Sequence, residues 1–426
     1  MLTDWIYWLS SIPQAELLLW ICPIFLTDTP RYLLGSLAMW IVDSIQDLKT
    51  CWKAEASIPF DYCPSICVVV AGLNEADGLE RGLSKIWGTY PRLEIIVIDD
   101  GSSDGMSEVA HQFARSHVGV RVVTKKRGGK SAAMNTALPL TQADVIVIVD
   151  ADSELTSDAL WEIVQPLADP TVGAVSGNVM VRNTDRNLLT RLQSVEYLRS
   201  ILLGRLLSSR LGILGIVSGA FGAFRRSELQ RLGGWDVGPG EDEDTVLRLR
   251  KVGYKVEFAP YAECYTDVPE KWKGLTRQRR RWEWAVVTFE SRKHIDMADP
   301  RQANFRWSNL ALFVERWFFN LLLPLWFWGY LLWLFLSANT EYLVSMGLFY
   351  YGIYTLMETL LLTLVLYYSN HKKRDARLVW VLPILPLYQA FQRCVTTWAI
   401  LEEVFRRASF SDSFVPAHVR KMTWRW

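Results

Sequence analysis

The sequence predicts an α/β domain of Rossmann-like layout set between hydrophobic helical segments, and three observations carry that prediction. Short runs of β-branched residues alternate with amphipathic helical stretches from about residue 64 to residue 268. Apolar segments long enough to cross a bilayer lie on both sides of that region. Half of the 426 residues are apolar and 20 are tryptophan, a load that suits anchors at a membrane-water boundary better than a soluble core.

In chain order, residues 5–27 are mostly apolar and lack a basic leader and a small-residue cleavage site, so they predict a membrane anchor. Residues 32–45 carry apolar positions at helical spacing with Asp43 on the polar side. They fit a helix lying in the membrane interface, with a second crossing as the alternative. The clearest strands are SICVVV (65–70), LEIIVID (93–99), VRVVTK (120–125) and DVIVIVD (144–150). Helical patterns follow at 76–86, 104–115, 131–138 and 156–167, with Asp104 and Ser131 as candidate caps.

Long apolar runs return at 317–336 and 343–368, both predicted to span the membrane. The link SANTEY between them lacks Lys and Arg, whereas HKKRDAR follows the second, which places the basic loop and the α/β domain in the cytoplasm. A third run, 379–405, contains Pro383, Pro386, Gln389, Gln392 and Arg393. A crossing there would put the basic tail outside, so re-entrant or bundle-packed geometry is the alternative. Glu358 and Arg393 inside the bundle either line a polar path through the membrane or pair with other polar groups.

The charges nearly cancel, 46 Lys and Arg against 45 Asp and Glu, so no nucleic-acid partner is expected. The six cysteines show no paired CxxC spacing and read as reduced cytoplasmic thiols.

Carboxylates at strand ends carry the chemistry. The first strand runs into AGLNEAD (71–77), at the carboxyl end where ligands bind in open parallel sheets. The second ends in IDDGSSD, where Asp100 either shapes an Asx-turn or accepts a hydrogen bond from a base NH. KKRGGKSAAMN sets free amides and Lys130 at a helix start, suited to phosphate but without P-loop spacing. DVIVIVDAD delivers Asp150 and Asp152 together, two hard oxygen ligands for Mg²⁺ or Mn²⁺ beside a diphosphate, or else a capped strand-helix turn. The small residues of SGAFGAF (218–224) permit close approach of a bound chain. Glu241, Asp242, Glu243 and Asp244 open a helix. Crowding there raises the pKa of at least one member, and Asp242 is the predicted general base. LTRQRRRWEW (275–284) is a basic aromatic helix. It either contacts lipid head groups or uses Gln278, Arg281 and Trp282 on a pyrophosphate and a sugar ring.

In the order Asp100, Asp150-x-Asp152, Glu241-Asp242, Gln278-x-x-Arg281-Trp282, the chain resembles the processive family-2 glycosyltransferases, the group of cellulose, hyaluronan, chitin and poly-N-acetylglucosamine synthases. The resemblance covers about residues 65–282. It implies a cytoplasmic GT-A domain docked on amphipathic interface helices, with a transmembrane channel for a polymer. It further implies Ala71, Leu73, Glu75 and Asp100 at the nucleoside, Lys130 near the phosphates, and Asp150 with Asp152 at the sugar diphosphate and metal. Asp242 matches the family's base, with Glu241 and Trp282 toward the acceptor, and Gln278 and Arg281 match the pyrophosphate motif. Three positions depart from the usual pattern: Gly240 replaces a Thr, Glu-Trp follows Trp282, and Ala71-Gly72-Leu73 replaces triplets such as Pro-Ala-Tyr.

The expected organisation is membrane and interface helices over 1–50, the GT-A domain over 64–268, interface helices over 269–310, a membrane region over 311–405 and a basic tail over 406–426. The expected function is inverting transfer from a UDP-sugar to a growing β-linked polysaccharide, coupled to export, in a multi-pass plasma-membrane protein. Expected partners are the UDP-sugar, a glycan or lipid acceptor, membrane lipids, and a helper subunit or a second copy of the chain. The alternatives are transfer of one sugar to a membrane lipid and, in another class, a catalytically silent scaffold or nucleotide sensor.

Overall fold

The computed structural model describes residues 28–50, 61–337 and 340–423; the anchor expected at 5–27 lies outside them. The domain is built on one eight-stranded sheet of order β3-β2-β1-β4-β7-β6-β8-β5. The strands are β1 (Ile66–Gly72), β2 (Leu93–Asp99), β3 (Val120–Thr124), β4 (Val145–Asp150), β5 (Glu154–Leu155), β6 (Val172–Val181), β7 (Phe221–Arg225) and β8 (Lys255–Thr266). Strands β1 to β4 pair in parallel, as their continuous apolar runs predict for strands covered on both faces. Ile66, Val68, Ile96 and Ile146 are fully buried.

The other half corrects the expectation of a mainly parallel sheet. β7 runs antiparallel to both β4 and β6, and β5 antiparallel to β8, so the sheet is mixed. β8 pairs in parallel with β6 and changes register between Gly177 and Asn178. The reversal at β7 matters for the site, because it brings the start of that strand to the carboxyl end of β4: Asp150 N–H donates to Ala220 O at 3.2 Å.

The two predicted caps act differently from expectation. Gly105 (φ 92°) and Gly129 (φ 86°) stand at the N-cap positions of the helices Met106–Ser116 and Lys130–Ala137, a backbone conformation glycine adopts without Cβ strain. Asp104 accepts from the N–H groups of Met106 (3.1 Å) and Ala76 (2.9 Å), tying two loops together. Ser131 lies inside its helix and donates to Asp236 O at 2.9 Å.

Among the described residues three helices are long and apolar enough to cross a membrane, Trp307–Ser337, Leu343–Tyr368 and Lys372–Arg406. The third is one helical run that passes through Pro383 as a 3₁₀ segment, so the prolines do not break it into a loop. The helix Thr29–Thr50 runs alongside the second of these. Thr29 Oγ1 donates to Glu358 at 2.7 Å, and Tyr368 OH donates to Asp43 at 2.7 Å. Its other side exposes Leu34, Ile41, Val42 and Ile45. Glu358 also accepts from Arg199 (3.0 Å) and Gln389 (2.6 Å), and Arg393 binds Asp28 (2.7 Å) and Phe319 O (3.0 Å). Both intrahelical charges thus pair with polar groups: Glu358 joins the α/β domain to the apolar helices through Arg199, and Arg393 ties the third apolar helix to the first and to Asp28.

Candidate active site

The parallel register sets the first half of the site: Ala71 of β1 lies beside Asp150 of β4, and Gly72 beside Asp99 of β2. Three strand ends therefore open on one rim. After β1 the chain passes half-buried Leu73 and turns at Asn74, whose φ of 59° is left-handed and suits Asn better than most residues. Asn74 N–H donates to Ser102 Oγ, and Asn74 Oδ1 accepts from Ser103 N–H, both at 2.9 Å. The loops after β1 and β2 are thus tied to each other. Glu75 follows, its carboxyl pushed up to about 7 by burial and then by the nearby charges of Asp152 and Asp150.

Asp100 is 4% exposed and its oxygens face the Gly-Gly-Lys turn. It accepts from Lys125 Nζ (2.7 Å), Gly128 N–H (2.8 Å) and Gly129 N–H (2.6 Å). Three of its roughly four acceptor positions are used in this way. The carboxylate thus shapes the turn that presents Lys130.

Lys130 links the two ends of the rim. Its Nζ is 2.5 Å from Asp150 Oδ1 and 2.9 Å from Gly219 O. Burial alone would lower its pKa, but Asp150, Glu241 and Asp242 outweigh that and hold it above the ordinary value. Gly219 N–H in turn donates to Asp242 Oδ2 at 3.1 Å. A side chain on Gly219 would stand 3.2 Å from Lys130 Nζ and 3.3 Å from Asp242 Oδ2, so the backbone there is pressed between a cation and a carboxylate. The SGAF run thus brings glycine close to the site's own charges.

The four carboxylates of the acidic helix, Glu241–Lys251, go to different partners. Asp244 binds Arg248 (2.9 Å), Lys293 (2.7 Å) and His294 (2.8 Å). Burial pushes it up, but His294, Arg248 and Lys293 outweigh this and hold it well below the ordinary carboxylate range. Glu243 pairs with Arg316 at 3.0 Å, and Glu241 lies 3.6 Å from Arg281. Asp242 differs: among the described residues it accepts hydrogen bonds only from the backbone N–H groups of Gly219 and, at 2.9 Å, Glu243. Burial and then the charge of Glu241 push it up to about 6, against the opposing pull of Lys130. Among the described residues it is the member of the cluster that no cationic side chain pairs with, and its proton affinity is elevated.

The helix Trp272–Ala285 carries three successive arginines about 100° apart around its axis, and each has its own carboxylate. Arg279 reaches Glu196 of the α/β domain (2.9 Å), Arg280 reaches Glu402 of the third apolar helix (2.5 Å), and Arg281 reaches Asp412 (3.1 Å) as well as Glu241. The three successive arginines are thus each paired within the protein. Arg279, passed over in the sequence, is the one that positions the motif: its guanidinium donates to Gln278 Oε1 (2.8 Å) and lies 4.1 Å from the Trp282 ring centroid. Trp282 remains 45% exposed.

The C-terminal segment was also not foreseen at the site. Asp412 is buried against Arg281, the Phe414 ring lies 4.9 Å from the Arg281 guanidinium carbon, and Pro416 approaches within 3.6 Å of where a Gly129 side chain would begin. The composition of the tail marks it as basic, and nothing in its pattern marks the contact.

The donor chemistry at the end of β4 fits a divalent cation. Burial and then Asp150 push the Asp152 carboxyl up, and Glu75 feels both charges, so the group has more negative charge than Lys130 neutralises. Among the described residues no three acidic, His or Cys side chains form a self-sufficient metal cage. An ion there would take further oxygens from a phosphate ligand, which suits Mg²⁺ or Mn²⁺.

Residues 64–285 match the family model described as "Glycosyltransferase like family 2". The chain belongs to this glycosyltransferase family. It is 31% identical over 251 residues to a poly-beta-1,6-N-acetyl-D-glucosamine synthase of Staphylococcus aureus strain MSSA476, covering 57% of this chain and 61% of that one. The corresponding Staphylococcus epidermidis synthase is 32% identical over 220 residues, 51% and 53% of the two chains. The match thus spans little more than half the length of these relatives. In fold, the transferase is similar to a mannosyltransferase of Pyrobaculum calidifontis solved in complex with GDP-Man and Mn²⁺, with a TM-score of 0.61, 24% identity, and coverage of 91% of this chain and 99% of that chain. The GT-A-like α/β fold and the apolar C-terminal helices agree with the architecture read from the sequence.

Proposed function

We propose that the protein transfers a sugar, with inversion, from a UDP-sugar to a hydroxyl of a growing β-linked glycan at the cytoplasmic face of the plasma membrane, coupled to export through the apolar helices. The observation that carries the reading is the run Asp150, Lys130, Gly219, Asp242, in which a diphosphate-type anion site and a carboxylate without a cationic partner are joined through the backbone of Gly219. Ala71, Leu73, Glu75 and Asp100 bound the nucleoside end. Lys130, Gln278 and Arg281 serve the diphosphate, and Asp150 with Asp152 would hold Mg²⁺ or Mn²⁺. When bound, the ion supplies charge to the departing nucleoside diphosphate. Asp242 accepts the proton of the acceptor hydroxyl as that oxygen attacks the anomeric carbon, giving a β-linked product from an α-linked donor. Trp282 offers its exposed face to the acceptor sugar, and Glu241 serves the same acceptor end. The names of the staphylococcal relatives make UDP-N-acetylglucosamine the first donor to test.

Incubation of the purified protein with labelled UDP-sugars, followed by sizing of the product, tests the proposal. A ladder of long glycans is expected. A single lipid-linked sugar would replace the polymerase by the second reading. Absence of UDP release with every donor and acceptor would return the scaffold reading.

Asp100 yields a prediction of its own. Asp100→Asn keeps the shape but sets an NH₂ group among donors that now converge on a carboxylate. Loss of one charge-assisted bond costs about 1.5–3 kcal/mol. Donor KM should therefore rise by about tenfold or more with a smaller change in kcat, as donor titration at saturating acceptor would read.

A further inference from the structure

A second cluster of charges lies behind the acidic helix, away from the rim. Arg316, in the first apolar helix Trp307–Ser337, points its guanidinium at two carboxylates. Its Nη2 is 3.0 Å from Glu243 Oε1 and its Nε is 2.6 Å from Glu290 Oε1. Glu243 and Glu290 are 2% and 1% exposed. One cation cannot neutralise two buried carboxylates, and Glu290 Oε2 has no donor unless Glu243 carries a proton. Burial and then Glu290 push the Glu243 carboxyl well above its ordinary value, and the two side chains are hydrogen-bonded to each other. A proton on Glu243 would place a donor between the two carboxyl groups beside Arg316.

The cluster joins three elements. Glu243 lies in the first turn of the acidic helix and its N–H donates to Asp242 Oδ1 at 2.9 Å. Glu290 lies in the π-helical segment Val286–Lys293 that continues from the QxxRW helix. That segment packs on the chain leading into the acidic helix, where Phe289 fills the space a side chain on Gly238 would need and Ala285 the space at Gly240. The close approach of Ala285 explains the small residue at Gly240.

We propose that Arg316 is a positioning residue: by gripping Glu243 and Glu290 together it sets the place of Asp242 from the membrane helix, so the pose of that helix governs the acceptor step. The proposal rests on the reading of Asp242 as the base. Displacement of a reacting group by about 1 Å can cost on the order of 10²-fold in rate, so a grip of this kind has catalytic weight.

The test is steady-state kinetics on the full chain in membranes. Arg316→Lys keeps the charge and loses the two-pronged grip, and Glu243→Ala removes the link itself. Each is expected to lower kcat by about tenfold or more with donor KM changed less than about twofold. Glu243→Gln, which retains the shape and the hydrogen bond of a protonated acid, should recover most of the activity that Glu243→Ala loses. A purely structural role would reduce the yield of folded protein and leave kcat per folded molecule unchanged, and that result would overturn the proposal. Equal activity of the Gln and Ala variants would overturn it too. Where Arg316→Lys fails to fold, the Glu243 pair decides alone. Asp242→Asn run in parallel separates the two ideas. If it retains turnover, the base assignment falls; if it is inactive while Arg316→Lys and Glu243→Ala match the native kcat, only the coupling falls.

Discussion

Asp242→Asn is expected to lower the transfer rate by on the order of 10²–10⁴-fold, the range that a positioned general base contributes, with donor affinity nearly intact. The geometry gives the reason for the second half of that statement. Asp242 touches the backbone N–H groups of Gly219 and Glu243, and an amide oxygen can accept from one of them without moving the loop. What the amide cannot do is take a proton. Kinetics with a filter or fluorescence assay for donor binding would read both halves, and a variant that retains turnover would remove Asp242 from the mechanism.

The same residue predicts a pH profile. A carboxyl pushed up to about 6 is protonated below that pH and cannot accept the acceptor's proton, so kcat/KM should fall toward acid with a midpoint near 6. Glu241 is the largest charge contribution to that elevation. Glu241→Gln should therefore move the acid limb to lower pH. A limb that stays in place would assign it to another group.

How much of this was legible in the sequence depends on which physical signal each part leaves. Strands β1, β2 and β4 are buried on both faces, so they appear as uninterrupted β-branched runs and their boundaries agree with the sequence to within two residues. Strands β6 to β8 are equally buried in places but are written as VGAVSGNVMV, FGAFR and KVEFAPYAECYT, in which Gly, Ser and Pro hide the strand pattern. The reversal of β7 that delivers Gly219 was unreadable for that reason. Helical spacing explains another gap. QRRRW shows three equivalent arginines in a row, and only the 100° step between them sends one to the domain, one to an apolar helix and one to the rim. The contact of Asp412 with Arg281 spans 131 positions and leaves no local trace.

Substitution of the β4 carboxylates carries the second large effect. Asp150 accepts from Lys130 at 2.5 Å, while among the described residues the Asp152 carboxylate has no cation in hydrogen-bonding contact, Arg182 reaching only its backbone carbonyl (3.1 Å), and that carboxyl is pushed up by burial and by Asp150. The two should therefore respond differently. Asp152→Asn removes a charge that the protein itself leaves uncompensated, so the apo domain should be as stable as the native one or more so, while the site loses half of its anionic ligands. Asp150→Asn also removes the carboxylate partner of the Lys130 ammonium, which keeps only Gly219 O, so the cation is less well placed and donor affinity falls along with the rate. Each should lower transfer by on the order of 10²-fold or more, the scale on which removal of one preorganised electrostatic contact acts on a transition state. Thermal shift measured with Mn²⁺ alone and with Mn²⁺ plus UDP separates binding from turnover: the native protein should be stabilised most by the pair, and both variants should lose that increment. Chelation of divalent ions should reproduce the variants' loss in the native enzyme. Full activity after exhaustive chelation would assign the diphosphate's charge to Lys130 and Arg281 alone.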